Sequence, residues 1–163
     1  MNIPLMIALL FSFHVPATQP NFPKAVSSVL ARETTCMAEV IAYEAPDESY
    51  AGKLAVATVV QNRVNSKFFP HTVCAVVYQH GKKGCQFSWS CRSHHITDWS
   101  VYREAERIAK DVLERGVLLK SIGNATHFYN ASIADPSWSH EMRFVQKIGA
   151  HSFYAYSTRT TRN

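Results

Sequence analysis

A proline between two apolar segments is the feature that most constrains the fold of this chain. Residues 38–64 read AEVIAYEAPDESYAGKLAVATVVQNRV, with Pro46 in the first half of the stretch. Proline has no backbone N–H and cannot continue a helix. The pattern therefore predicts one helix that ends at about Ala45 and a second that covers about residues 48–65. Most of the stretch is ordinary core sequence.

Capping residues and helical spacing set the expected boundaries of these two helices. Thr34 or Thr35 is expected to cap the first helix, after a proline-containing lead-in over residues 18–33. Asp47 or Ser49 is expected to cap the second helix. The core positions of the second helix follow helical spacing and are Leu54, Ala57, Val60 and Val64.

A third helix is indicated in the second half of the chain. Asp98 or Ser100 is expected to begin it, and Gly116 is expected to end it. Its buried stripe consists of Tyr102, Ala105, Ile108, Ala109, Val112 and Leu113. The apolar segment Thr72–Gln79 fits either a short helix or a strand, and its period does not separate the two.

Extended segments are expected in most of the remaining sequence. Alternating aromatic residues predict strands at Ala125–Asn130 and His151–Tyr156, and His80–Arg92 reads as a loop or an irregular hairpin. A shorter helix is predicted over Trp138–Lys147. The predicted fold class is therefore α+β, mainly helical, with a small β-sheet or hairpin.

The chain has the length of one domain. Its 163 residues are 47% hydrophobic and 18% charged, so it can bury a core of its own. We expect that domain to cover residues 34–156 and a polar tail to cover residues 157–163. Residues 1–17 contain the apolar run NIPLMIALLFSF followed by Val15-Pro16-Ala17, a pattern typical of a secretory signal.

Export to the periplasm or the extracellular space is the expectation that this N-terminus supports. No Lys or Arg precedes the apolar run, however, and secretory signals usually carry one. Two alternatives are open: a buried N-terminal segment, and an uncleaved tether that would associate the protein with the membrane.

The charge of the chain favours polyanionic partners. Its net charge is +5, which suits nucleic acid, anionic lipid or an acidic cell-wall polymer. The basic residues are scattered along the sequence and form no stripe on one helix. No nucleic-acid partner is therefore expected.

Four cysteines predict two disulfides rather than a metal site. An exported chain permits disulfides, and the four residues allow three pairings. Cys85 and Cys91 are close enough to close a small loop, which leaves Cys36 to pair with Cys74. Structural zinc sites use spacings such as C-x-x-C, and zinc hydrolases use H-E-x-x-H; neither occurs here. No metal and no cofactor are expected.

Glu44 lies on the apolar face of the first predicted helix. It follows Ile41 by three residues and Val40 by four, so it shares their face. Burial raises the pKa of a carboxyl group, and a glycosidase general acid needs a raised pKa. The alternative is a structural Glu44 that pairs with Arg63 or reaches solvent at the helix end.

Glu48, four residues later, also has two interpretations. It is a candidate second carboxylate for a two-acid glycosidase. It can equally favour the positive N-terminal end of the second helix, which is the interpretation we prefer.

The order of motifs along the chain resembles the SleB-type cell-wall hydrolase family, from Cys36 to Tyr154. These motifs are YEAPDE, GKLAVATVVQNRV, FPHTVCAVVYQ, GCQFSWSC, ATHFYN and IGAHSFY. The resemblance implies a lysozyme-like domain that cleaves the glycan strands of peptidoglycan, with lytic transglycosylation as the family's best-known activity. The family's Tyr-x-Glu-Ala-Arg-Gly-Glu pattern implies that Glu44 is the acid. Its Arg-Gly pair is Pro46-Asp47 here, so the turn must differ.

The resemblance also implies a set of residues that hold the substrate. Amide and hydroxyl groups suit sugar substituents, and aromatic faces pack on sugar rings. The candidates are Glu48, Gln86, Phe87, Ser88, His127, Tyr129, Asn130 and Trp138. Core packing is the alternative for Phe87, for the aromatic strand and for Trp138, and turn capping is the alternative for Asn130.

Three function classes fit parts of these observations. The first is a peptidoglycan-cleaving glycosidase, either a lytic transglycosylase or a hydrolytic muramidase, with Glu44 as general acid. The second is a non-catalytic module that binds peptidoglycan in the same cleft. The third is a basic nucleic-acid binder, which the charge alone favours. Only the first class, the glycosidase, needs a half-buried acid at Glu44.

Overall fold

The computed structural model describes residues 24–82 and 84–157 of the chain. The predicted signal or tether at residues 1–17 lies outside these residues, as does the tail from residue 158 onwards. Among the described residues, no helix has both the length and the apolar character needed to cross a membrane.

The first helix, α1, covers Lys24–Glu44 and begins well before the cap predicted at Thr34 or Thr35. Thr34 and Thr35 lie inside it, and their hydroxyls donate to the carbonyls of Leu30 and Ala31. A threonine hydroxyl can bond to the carbonyl four residues earlier as readily as it can cap a helix. The predicted cap at Thr34 or Thr35 is therefore wrong.

The break at Pro46 and the start of the second helix are as predicted. Helix α2 covers Tyr50–Val64, and the Ser49 side chain caps it by accepting a hydrogen bond from the Gly52 N–H at 3.3 Å. Leu54, Ala57 and Val60 are buried. Burial extends to most of the other residues of α2, so this helix runs through the centre of the domain.

Two further helices pack against α1 and α2. The segment that fitted a helix or a strand is helical: α3 covers Val73–Val77, with Thr72 as its cap. Helix α4 covers Trp99–Arg115, and the Asp98 carboxylate caps its start. Gly116 ends it in the left-handed conformation, with φ 66°, as predicted.

The β structure consists of a small hairpin and a three-stranded antiparallel sheet. In the hairpin, β1 (His80–Gly81) pairs with β2 (Gly84–Cys85), and a 3₁₀ turn follows at Ser88–Cys91. The predicted strands at Ala125–Asn130 and His151–Tyr156 are confirmed as β3 (His127–Asn130) and β5 (His151–Ala155). These two strands pair directly, and every residue of β5 is buried.

The helix predicted over Trp138–Lys147 is wrong. A 3₁₀ turn covers Ser137–Glu141, and the chain then enters strand β4, Arg143–Ile148, which pairs with β5. Gly149 has φ 57°, a conformation that suits the tight connection from β4 to β5. Pairing with β5 therefore outweighs the local helical pattern.

Two buried clusters join these elements. The larger is helical, with residues from α1 to α4 at its centre, and includes Phe87 from the loop after β2. The smaller lies between α2 and the sheet and consists of Ala55, Val59, Ile122, Ala125 and Phe153. Helix α2 contributes to both clusters, which is why its burial extends around most of its circumference.

Both predicted disulfides are confirmed. Cys36–Cys74 joins α1 to α3, and Cys85–Cys91 joins β2 to the following 3₁₀ turn. The first bond closes a loop with a sequence separation of 38 residues, and the second closes one of 6.

Removal of the two disulfides should destabilise the chain unequally. Loop-closure entropy predicts a loss of about 4 kcal/mol in the free energy of unfolding for Cys36→Ala with Cys74→Ala, and about 2 kcal/mol for Cys85→Ala with Cys91→Ala. Urea unfolding of each double variant beside the wild type measures both losses. A larger loss for the short loop would contradict this ranking.

Candidate active site

Glu44 is the last residue of α1, at the edge of the helical core. The residues before it on the same face, Val40 and Ile41, are fully buried, and the Glu44 side chain is half-buried. The indole N–H of Trp89, in the 3₁₀ turn, donates to Glu44 Oε1 at 2.9 Å. The predicted position of this carboxyl on an apolar face is therefore observed.

Arg63 lies near this carboxyl but is bound elsewhere. Its Nε donates to the carbonyl of Thr126 at 2.7 Å, and its guanidinium lies over the rings of Phe69 and Phe87, about 5.3 and 5.4 Å from their centroids. The salt bridges among the described residues do not include an Arg63–Glu44 pair. Glu44 is thus not held in the charged form by direct ion pairing.

The surroundings of Glu44 act on its pKa in opposite directions. Burial raises the pKa of the carboxyl above its ordinary value. The hydrogen bond from Trp89 and the more distant charge of Arg63 lower it, but by less, so the pKa remains raised. A raised pKa keeps a larger share of Glu44 protonated near neutral pH, which is the state that a general acid requires.

Glu44 opens into a cleft of about 460 Å³ between the helical core and the β structure. One side comes from the loop after β2 and the other from β3 and β5. The lining residues are Tyr43, Glu44, Arg63, Cys85, Gln86, Phe87, Ser88, Phe128, Tyr129, Asn130, Ile133 and His151. Apolar rings, amides, a hydroxyl and an acid thus meet in one cleft, as a carbohydrate site requires.

Three of the predicted substrate-binding residues line the cleft from the disulfide loop. Gln86 and Ser88 are exposed, and their side chains are free to contact a ligand. Phe87 lies between them with its ring buried against Phe128 and Trp89. Phe87 therefore has the core packing that was its alternative interpretation, while one part of it still borders the cleft.

Strand β3 contributes two more of the predicted residues. The hydroxyl of Tyr129 lies 3.2 Å from that of Tyr154, and the two rings stack. Asn130 Oδ1 accepts from the N–H of Ser132, so this side chain caps a turn as well as lining the cleft.

His127 and Trp138 do not line this cleft. Their rings are 5.3 Å apart, and the His127 ring also packs against Phe69 and Tyr156. Burial, together with the charge of Arg63, lowers the pKa of His127 from 6.5 to about 4, so this ring is neutral near neutral pH.

Glu48 lies outside the cleft lining and contacts the sheet. Its carboxylate accepts a hydrogen bond from the Ala150 N–H at 2.8 Å and lies 3.1 Å from Nδ1 of His151. The cap of α2 is Ser49. The second carboxylate of the YEAPDE motif is therefore bound by groups in and beside the β4–β5 turn.

Trp89, Phe128 and His151 are residues of this site that the sequence did not single out. Trp89 lies in the GCQFSWSC loop and His151 in IGAHSFY, so both belong to the motifs that carried the family resemblance. The contact of Trp89 with Glu44 has no local sequence signal, because the two residues are 45 positions apart.

A possible metal group of His80, Cys85 and Cys91 occurs beside this loop. Its two sulfur atoms are joined in the Cys85–Cys91 disulfide, whereas metal ligation requires free thiolates.

A mainly helical α+β domain with a half-buried acid in an open cleft is the arrangement of lysozyme-like glycosidases. A family model described as Cell Wall Hydrolase matches residues 47–154, and the chain belongs to that family. The matched range begins three residues after Glu44 and does not include it. The case for Glu44 as the acid therefore rests on its burial and contacts in the structure.

Individual relatives agree with the family. The spore cortex-lytic enzyme of Bacillus cereus is 30% identical over 134 residues, which are 82% of this chain and 47% of that protein. The Bacillus subtilis spore cortex-lytic enzyme is 25% identical over 138 residues, 41% of its length. The chain thus spans about half the length of the relatives that it matches.

Solved structures share the fold. The catalytic domain of the germination-specific lytic transglycosylase SleB from Bacillus anthracis matches with a TM-score of 0.61 and 26% identity, over 82% of this chain and 100% of that one. The Bacillus cereus SleB catalytic domain matches with a TM-score of 0.58 and 24% identity, over 85% and 99% of the two chains. The lysozyme-like fold expected from the sequence is confirmed.

The hydrogen bond from Trp89 should lower the pKa of Glu44 in a measurable way. Trp89→Phe removes the indole donor, which stabilises the charged carboxylate, so the pKa of Glu44 should rise further. Titration of the Glu44 side-chain carboxyl by ¹³C NMR measures the change. Trp99→Phe is the matched control, because Trp99 is exposed on α4. Equal pKa values in all three proteins would contradict the assigned role of Trp89.

The raised pKa of Glu44 should also make stability depend on pH. Between its unfolded and its folded pKa, the folded chain holds this proton more often than the unfolded chain, so the free energy of unfolding falls as pH rises. Glu44→Gln lacks this titration. It should therefore be more stable than the wild type at about pH 8, with the difference shrinking towards about pH 4. Thermal unfolding across this range tests it, with Glu141→Gln, an exposed site, as control.

Proposed function

We propose that this chain is an exported enzyme that cleaves the glycan strands of peptidoglycan, most specifically a lytic transglycosylase, with Glu44 as its general acid. The observation that carries the proposal is the half-buried Glu44 carboxyl, which has a raised pKa and opens into the cleft. The likeness to the SleB catalytic domain, described as a lytic transglycosylase, supports the reaction type.

The proposed reaction begins with protonated Glu44. It donates its proton to the glycosidic oxygen between N-acetylmuramic acid and N-acetylglucosamine, and positive charge develops at the sugar carbon as that bond breaks. Glu44, now charged, then accepts the proton of the muramic acid 6-hydroxyl. That oxygen attacks the sugar carbon and closes an anhydro ring. The proton balance needs only one carboxylate, which alternates between acid and base.

The contacts of Glu44 suit both halves of this cycle. Burial favours the protonated acid before the bond breaks. The Trp89 hydrogen bond and the charge of Arg63 then stabilise the carboxylate after the proton has left. Because Arg63 is bound to the Thr126 carbonyl, it does not neutralise the acid by direct pairing.

The surroundings of Glu48 favour the transglycosylase over a hydrolytic muramidase. An inverting hydrolase uses a second carboxylate to activate water, and a retaining one uses it as the nucleophile. Glu48 does not line the cleft, and its Oε1 is engaged by Ala150 and His151. The non-catalytic binding module stays as the second candidate, since the cleft lining suits glycan binding with or without turnover.

Compartment and partners follow from the same proposal. Two disulfides are typical of exported proteins, and a net charge of +5 suits an acidic wall polymer. The proposed partner is therefore the peptidoglycan glycan strand. Membrane association through residues 1–17 remains a prediction from the sequence.

Glu44→Gln should reduce cleavage of purified peptidoglycan at least about a hundredfold, because it removes the proton donor while keeping the side-chain shape. Mass spectrometry of the released fragments should find anhydro-muramic ends with the wild type, and Glu141→Gln should behave like the wild type. Fragments heavier by one water would instead identify a hydrolase. Unchanged release by Glu44→Gln would overturn the assignment of the acid, and no release by the wild type would favour the binding module.

A further inference from the structure

The Glu48–His151 pair is a buried polar contact that the reaction above does not use. Glu48 lies in the turn after α1, and its Oε1 is 3.1 Å from Nδ1 of His151, the first residue of β5. Only 11% of the Glu48 side chain and 7% of the His151 side chain are exposed. The Ala150 N–H donates to the same carboxylate oxygen at 2.8 Å, so this oxygen is held from two directions.

Two glycines, which have no side chain, leave space for the Glu48 carboxylate beside the backbone. A Cβ atom at Gly149 would overlap the Glu48 carboxylate, and one at Gly52 would lie 2.8 Å from it. Gly149 also has a left-handed φ of 57°. The β4–β5 turn and the start of α2 thus both fit closely around the Glu48 side chain.

The contact determines which nitrogen of His151 carries a proton. An ionised carboxylate only accepts hydrogen bonds, so the His151 Nδ1 that faces it is the N–H. In the neutral ring, Nε2 is then an acceptor. Among residues 24–82 and 84–157, Nε2 makes no hydrogen bond, and His151 lines the same cleft as Glu44. His151 is therefore a lining residue of the cleft that carries a hydrogen-bond acceptor with no partner among the described residues.

We propose that His151 is a substrate-binding residue whose Nε2 accepts a hydrogen bond from an acetamido N–H or a hydroxyl of an N-acetylated glycan, and that Glu48 is its positioning residue. The proposal rests on the proposed function for the nature of the ligand. Gln86, Ser88 and Arg63 bring hydrogen-bond donors to the cleft. A fixed acceptor at His151 complements them, because sugars carry both kinds of group.

The test uses the Glu44→Gln chain, which should hold the glycan without cutting it. The probe is a soluble oligosaccharide of alternating N-acetylglucosamine and N-acetylmuramic acid. Added His151→Ala should raise Kd about tenfold, the effect of one lost hydrogen bond in a desolvated site. Added Glu48→Leu should do the same, whereas Glu48→Gln keeps an accepting oxygen and should keep the affinity. His71→Ala is the control, since His71 is exposed and does not line the cleft.

A second measurement separates positioning from simple stabilisation. Long-range ¹H–¹⁵N NMR of the Glu44→Gln chain should find His151 with a proton on Nδ1 and none on Nε2, and the Nε2 signal should move when the glycan binds. Glu48→Leu should change the tautomer populations, and Glu48→Gln should not. These NMR signals test the role of His151 even if His151→Ala fails to fold.

The outcomes separate this inference from the proposed function. Wild-type affinity in His151→Ala, or a proton on Nε2 in the neutral ring, overturns the role of His151 even where peptidoglycan is cleaved. Binding that depends on His151, without cleavage by the wild type, defeats the enzyme proposal and leaves the inference standing. No binding of the probe by the Glu44→Gln chain overturns the inference.

Discussion

The turn between α1 and α2 is the constraint on which the rest of the site depends. Pro46 prevents α1 from continuing, and Ala45, fully buried, fixes the end of the helix against the core. Glu44 is therefore held at the last helical position, while Glu48 follows within the same turn and reaches the β4–β5 connection. One short segment thus orients an acid towards the cleft and joins the helical half of the domain to the sheet.

The electrostatic balance at Glu44 depends on keeping Arg63 close but separately bound. A direct ion pair would favour the charged carboxylate and suppress its protonated form. Complete isolation would leave the carboxylate without stabilisation once its proton has left. The Thr126 carbonyl and two aromatic rings hold the guanidinium, so its charge acts on Glu44 from a distance. Such an arrangement reduces stability in exchange for a usable acid.

Local chemistry explains which parts of the fold could be predicted from the sequence. Helix caps depend on residues that are neighbours in the sequence: Ser49 and Asp98 are each one of the two predicted caps of their helices, and Gly116 ends α4 as predicted. The predicted start of α1 was wrong because a threonine hydroxyl can either cap a helix or donate to the carbonyl four residues earlier inside it. Strand β4 was missed because its structure depends on pairing with β5 rather than on its own pattern.

In the site, too, local features could be predicted from the sequence and long-range contacts could not. The position of Glu44 on an apolar face could be read from spacings of three and four residues. Its bond to Trp89 and the contact of Glu48 with His151 join residues 45 and 103 positions apart. Contacts of that range are set by the packing of helices against the sheet, so no window of sequence contains them. The motifs identified the segments that meet, but not the atoms that touch.

The Cys85–Cys91 disulfide closes a loop that supplies part of the site around Glu44. The residues between these cysteines include Trp89, whose indole binds the acid, and Gln86 and Ser88, which border the cleft. In a reducing compartment this short loop would lose its closure, and Trp89 would lose the constraint that keeps it beside Glu44. Under the proposed function, the lining of the cleft around Glu44 would then be fully held in place only where these two cysteines are oxidised.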